Sequence, residues 1–143
     1  RRIAADILAK YDAVQADDLD DLLPRCDFVS LHCPGGAENR HLINSRRLDL
    51  MRPDAFLINT ARGEVINEHD LVQALAFETI GGAALDVFEG EPNIARNLMD
   101  SQNLVMLPHL GSATTESREA MGFCVLKNLD AFFKGDIPPD RVN

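Results

Sequence analysis

The sequence predicts an α/β fold built on a parallel sheet, and three observations carry that reading. Four short apolar runs, at 28–31, 55–59, 80–86 and 104–107, are separated by segments whose apolar residues recur at helical spacing. Three of these runs end in an ionisable group: Arg62 after the second, Asp86 after the third and His109 after the fourth. The chain then closes in a long helical pattern at 114–134.

The composition belongs to a globular domain, with 143 residues, 45% hydrophobic and 26% charged. A net charge of -9 argues against nucleic acid or an anionic membrane as partner, since both select a basic face. No apolar run reaches the roughly 20 residues of a membrane span. The three cysteines, Cys26, Cys33 and Cys124, form no CxxC pair and no metal spacing, so free thiols and a reducing, cytoplasmic setting are expected, with no metal site. The chain begins with Arg1 and contains no Gly-x-Gly-x-x-Gly loop, so it is expected to be a piece of a longer protein.

In order, residues 1–11 place Ile3, Ile7, Leu8 and Tyr11 on one face of an amphipathic helix, and 13–16 form a short extended piece. Residues 17–23 set three leucines under four aspartates at a helix amino end, where the dipole favours anions, and Pro24 keeps this helix short. The 28–31 run reads as a short buried strand ending at His32-Cys33-Pro34-Gly35-Gly36, a loop whose backbone can approach something flat. Asn44 caps a short helix that runs past Leu48 towards Met51.

The strand at 55–59 delivers Arg62 to the rim of the sheet, and Asn67 caps a helix with Leu71, Val72 and Leu75 inward. The run at 80–86 is a strand of small residues that lets a helix or ligand come close. Residues 88–103 form a loop carrying Glu89-Gly90-Glu91-Pro92, with a short turn near Leu98. The strand at 104–107 ends at Pro108-His109, and the closing helix spaces Met121, Val125, Leu129 and Phe132 on one side with Gly135 as its C-terminal cap. His41 and His69 are expected at the surface.

Each ionisable strand end has an ordinary reading. Arg62 alone reads as a solvated arginine, Asp86 as a loop cap, His109 as a loop histidine, and Glu89 and Glu91 as solvated charges. Together they read differently, because the carboxyl ends of parallel strands share one rim, where such folds bind ligands. A guanidinium can grip both oxygens of a carboxylate, and an imidazole can exchange a proton near neutral pH.

Asn59-Thr60-Ala61-Arg62-Gly63, Leu85-Asp86-Val87-Phe88-Glu89-Gly90-Glu91-Pro92 and Leu107-Pro108-His109-Leu110-Gly111-Ser112-Ala113-Thr114 resemble three signatures of the D-isomer-specific 2-hydroxyacid dehydrogenases. Pro34-Gly35-Gly36-Ala37-Glu38-Asn39 and Phe132-Phe133-Lys134-Gly135 are most similar to the glyoxylate/hydroxypyruvate reductase branch. The resemblance implies the C-terminal part of a Rossmann-type doubly wound parallel sheet plus a long crossover helix. Residues 1–112 would be an incomplete nucleotide-binding domain lacking the first strands and the glycine-rich loop. Residues 113–143 would be a crossover helix and tail returning to an absent substrate domain.

It implies that the parent protein transfers a hydride between NAD(P)H and a small 2-oxoacid such as glyoxylate or hydroxypyruvate. Arg62 would anchor the substrate, and His109, assisted by Glu91, would be the acid/base. Cys33, Pro34, Thr60, Ala61, Asp86 and Gly111 would contact the cofactor, together with Arg62 and His109. Arg1 and Arg2, placed where a 2′-phosphate would bind, favour NADPH. A homodimeric parent is implied. The chain alone is expected to be inactive and aggregation-prone, with its 28–31 strand at a bare edge. The competing reading is a dinucleotide-sensing, corepressor-type regulator of the same fold.

Overall fold

The computed structural model describes residues 2–142; Arg1, one of the two arginines behind the NADPH expectation, lies outside the described residues. The elements run α1 (Ala5–Lys10), α2 (Leu19–Leu22), β1 (Phe28–Leu31), α3 (Ser45–Leu48), β2 (Phe56–Asn59), α4 (Glu68–Ala76), β3 (Gly82–Leu85), α5 (Arg96–Met99), β4 (Leu104–Met106) and α6 (Thr115–Phe133). Short 3-10 turns at Leu23–Arg25 and Gly63–Val65 complete them; the second of these has no signature in the sequence pattern. The expected sheet is present: four parallel strands in the order β1-β2-β3-β4, each joined to the next by a crossover that contains a helix.

The caps at Asn44, Asn67 and the start of α6 fall where the sequence places them, and Asp18 supplies a fourth. Asp18, Asn44, Asn67 and Thr114 each accept a hydrogen bond from the backbone N–H three residues on, at the starts of α2, α3, α4 and α6. Each such bond stabilises its helix by about 1 kcal/mol. Gly135, just past α6, takes φ +81°, a left-handed conformation that only glycine adopts without penalty.

The core lies against one face of the sheet. Val29, Leu57 and Ala83 are in register across three strands, Leu31, Asn59 and Leu85 form the next buried row, and Leu48, Leu71 and Leu75 of α3 and α4 belong to the same core. Val72 is only half-buried, and Ala74 completes the buried side of α4.

The opposite face departs from the expectation of buried strands. Phe28 is 67% exposed and stacks at 5.6 Å on the exposed ring of Phe56, while Ser30 and Val105 are also exposed. Alternation, with one face packed and one open, replaces the two covered faces usual for a parallel sheet. In and around helix α1, Ile3, Ile7 and Tyr11 are likewise exposed, and only Leu8 is half-buried. No described helix is long and apolar enough to cross a membrane.

The chain divides into two compact units, one through Leu107 and one from Pro108 on. The second consists of the loop after β4, α6 and the tail. Within it, Asp140 donates its N–H to Asn128 Oδ1 at 3.0 Å and accepts from Asn128 Nδ2 at 2.8 Å, tying the tail to α6. Within that unit, Met121, Phe123, Val125, Leu126, Leu129, Phe132 and Phe133 are all exposed.

Candidate active site

Parallel β1 and β2 end side by side, and the loops that follow them flank an open cleft of about 490 Å³ lined by His32, Cys33, Pro34, Gly35, Thr60, Ala61 and Arg62. Five residues singled out from the sequence, Cys33, Pro34, Thr60, Ala61 and Arg62, therefore share one cleft on the carboxyl rim of the sheet. Its size is in the range of small-molecule sites, and its short-side-chain walls fit part of a flat nucleotide beside one cation. Asp86, 6% exposed, follows β3 on the same rim and donates its backbone N–H to the carbonyl of Asn59 at 2.9 Å.

The shape of the Arg62 loop is set by Asn59. This amide is 1% exposed; its Oδ1 accepts from Ala61 N–H at 3.0 Å, and its Nδ2 donates to the Arg62 carbonyl at 2.9 Å. A buried amide satisfied at both ends by its own loop fixes the turn out of the strand. The Arg62 side chain emerges from this turn exposed, its Nη1 donating to the Ala61 carbonyl at 2.7 Å. Gly63 then backs onto the chain at Phe88 and Glu89 so closely that a Cβ would collide with the Phe88 carbonyl.

The loops after β1 and β2 are also stitched together. Glu64 Oε1 accepts from Gly36 N–H at 2.6 Å, and backbone bonds from His41 N–H to the Glu64 carbonyl (2.8 Å), Ile43 N–H to the Val65 carbonyl (3.0 Å) and Asn67 N–H to the Ile43 carbonyl (2.9 Å) lay the two segments alongside each other. His41, expected at the surface, is half-buried: its Nε2 meets Glu89 Oε1 at 2.8 Å, and Arg40 Nη2 donates to the same oxygen at 2.6 Å. Glu89 is thereby held rather than simply solvated.

The Glu91 carboxylate is oriented by its own loop, its Oε1 accepting from Phe88 N–H at 2.7 Å. Glu68, at the start of α4, accepts from Glu89 N–H at 2.5 Å. Burial pushes the Glu68 carboxyl above the usual carboxylate range; the Glu89 N–H opposes the shift, and the negative charges of Glu89 and Glu91 add to it. His109 and Gly111 fall in the second unit, in the loop after β4; His109 is exposed, with φ +56°. Among the described residues no group of three or more His, Cys, Asp or Glu is arranged to hold a metal ion.

Sequence reasoning gave no role to Asn59, Gly63, Glu64 or Glu68 and did not foresee the Arg40–His41–Glu89 cluster. For Asn59 a signal was present: an amide closing an apolar strand, two residues before a turn, commonly bonds its own backbone.

Residues 2–111 match the family model for the D-isomer specific 2-hydroxyacid dehydrogenase, NAD binding domain. A glyoxylate reductase of Thermococcus litoralis is 50% identical over 126 residues, covering 88% of this chain and 38% of that protein. The solved structure of a glyoxylate reductase from Paecilomyes thermophila superposes with TM-score 0.83 at 33% identity, over 96% of this chain and 41% of that one. An NADPH-dependent glyoxylate/hydroxypyruvate reductase from Sinorhizobium meliloti, solved with NADP and malonate, gives TM-score 0.78 at 33% identity over 90% and 45% of the two chains. The chain spans about two fifths of the length of the curated relatives it matches.

Proposed function

The chain belongs to the D-isomer specific 2-hydroxyacid dehydrogenase family, through its NAD-binding domain, and on that premise we propose that the protein carrying it reduces a small 2-oxoacid, glyoxylate or hydroxypyruvate, with a nicotinamide dinucleotide. One observation supports this most: Arg62 lines a cleft of short side chains on the sheet's carboxyl rim, held there by a loop that Asn59 fixes.

The bound dinucleotide supplies the hydride. Cys33, Pro34, Thr60, Ala61, Asp86 and Gly111 would hold and orient it, together with Arg62 and His109. Arg62 grips the substrate carboxylate through its planar guanidinium and offsets the negative charge that grows on the carbonyl oxygen. His109 gives that oxygen its proton as the acid/base, assisted by Glu91. Residues 1–112 form the nucleotide-binding part, and 113–143 cross to a substrate domain. NADPH is the preferred cofactor, on the basicity of Arg1 and Arg2. The parent is a cytoplasmic homodimer, and the 143-residue chain by itself is inactive.

The test is the steady-state rate of glyoxylate and hydroxypyruvate reduction by the full-length protein. Arg62→Gln is expected to lower kcat/KM by roughly 10- to 100-fold, the scale of a lost charged hydrogen-bond pair. His109→Ala is expected to lower kcat by ~100-fold or more, the scale of a lost general acid. Wild-type rates in both variants would refute the assignment.

A further inference from the structure

Glu89 lies two residues before Glu91, yet none of its contacts is explained by the chemistry proposed for Glu91. One carboxylate oxygen of Glu89 receives two donors from a segment far away in sequence, Arg40 Nη2 at 2.6 Å and His41 Nε2 at 2.8 Å. Its backbone N–H is taken by Glu68 Oε1 at 2.5 Å, and its backbone is backed by Gly63 with no room for a Cβ between them. The residue before it, Phe88, donates the N–H that orients Glu91 Oε1 at 2.7 Å. The loop that presents Glu91 is therefore gripped on three sides: by the segment after β1, by the Arg62-Gly63 turn after β2 and by the first turn of α4.

Two of the three grips involve groups that the bare fold does not need. A half-buried carboxylate at Glu68, close to the charges of Glu89 and Glu91, costs desolvation and repulsion that an apolar residue would avoid. Arg40 has a side chain 53% exposed, so its ion pair with Glu89 adds little to stability. What these contacts do provide is geometry: two directional bonds on the Glu89 side chain and one on its backbone leave the Phe88–Glu91 turn little freedom.

We propose that Glu89 is a positioning residue for the reduction: clasped by Arg40 and His41 and anchored through its backbone to Glu68, it holds the loop so that Glu91 keeps a fixed direction in the active site. This rests on the reading of Glu91 as the partner of the acid/base. A truncated Glu89 releases the two donors and lets the loop shift. Glu91 then moves relative to its target, while the residues lining the cofactor cleft stay in place.

The experiment is a double-mutant cycle on the full-length protein, read as the single-turnover rate of 2-oxoacid reduction and the KM for the dinucleotide. Alone, Glu91→Gln sets the scale. Glu89→Ala is expected to lower the rate on the order of tenfold, with about 100-fold as the ceiling for an ångström of misplacement, and to leave the dinucleotide KM unchanged. Arg40→Ala, at an exposed side chain, is expected to move the rate the same way by less, and it completes the same cycle if Glu89→Ala does not fold.

In the Glu91→Gln background, either change is expected to lower the rate by less than about twofold, because the group being positioned is already gone. An equal loss in both backgrounds makes the cluster merely structural and overturns the proposal, as does an unchanged rate in Glu89→Ala and Arg40→Ala when Glu91→Gln is slow. If Glu91→Gln itself keeps the parent rate, the active-site reading has failed and this inference falls with it.

Discussion

Replacing Asn59 with alanine removes one amide from the end of β2 and tests how the Arg62 loop is held. Asn59 is 1% exposed and bridges the Ala61 N–H and the Arg62 carbonyl at 3.0 and 2.9 Å. Ala61 is itself buried, so its N–H loses its partner out of reach of water, at a cost of about 1–3 kcal/mol. The Arg62 carbonyl is nearer solvent and loses an ordinary bond of about 1 kcal/mol. The sum, roughly 2–4 kcal/mol, is a large part of the 5–15 kcal/mol that holds a typical domain together. Asn59→Asp separates the two halves: it keeps the acceptor for Ala61 but loses the donor and sets a carboxylate against the Arg62 carbonyl. Urea unfolding of the full-length protein reads the stability, and the KM for the 2-oxoacid reads the position of Arg62. Asn59→Ala is expected to lower the urea midpoint and raise that KM, and Asn59→Asp to do both more strongly at neutral than at acid pH. A midpoint shift worth less than about 0.5 kcal/mol in Asn59→Ala, the range of a neutral surface change, would refute the reasoning.

Gly63→Ala forces a Cβ into the Phe88 carbonyl and separates the loop after β2 from the loop after β3; a loss of roughly 1–3 kcal/mol in urea unfolding is expected, on the scale of overpacking. A second expectation concerns acid. Hydrogen bonds from Arg46, and then from Arg47, hold the Asp20 carboxyl at about 2, below its ordinary 3.8. The native state keeps Asp20 ionised at pH values where the unfolded chain binds a proton, so this contribution is full above 3.8 and is lost as pH falls towards 2. Asp20→Asn should therefore flatten the acid limb of a stability-against-pH curve in that interval and nowhere else. An acid limb unchanged by the substitution would count against it.

Much of the fold is legible without coordinates because the signals are local. Asn44, Asn67 and Thr114 cap helices through bonds three residues long, and Gly135 stops α6 through its own φ. The four apolar runs give the four strands to within two residues at either end, since strand pattern is read over about 4–8 residues. Arg62 could be placed on the rim for the same reason, since a parallel sheet puts successive strand ends on one rim whatever lies between them, and the family resemblance set Thr60, Ala61, Cys33 and Pro34 beside it. What an apolar run cannot say is which face is covered. Phe28 and Leu31 are both large and apolar, yet Phe28 lies open and Leu31 is buried, because the helices packed on the core leave the row of Phe28 and Phe56 uncovered.

By itself, the sequence determined the α/β class, the order of elements, the polar chemistry at the strand ends and the family. Tertiary structure alone decided how that chemistry is held. Arg40 meets Glu89 across 49 residues, Gly36 meets Glu64 across 28, and Glu68 meets Glu89 across 21. No periodicity spans such distances. A carboxylate in a loop has the same sequence signature whether it is solvated or clasped, and only the crossing of three loops on one rim brings the donors within 2.6–2.8 Å of Glu89.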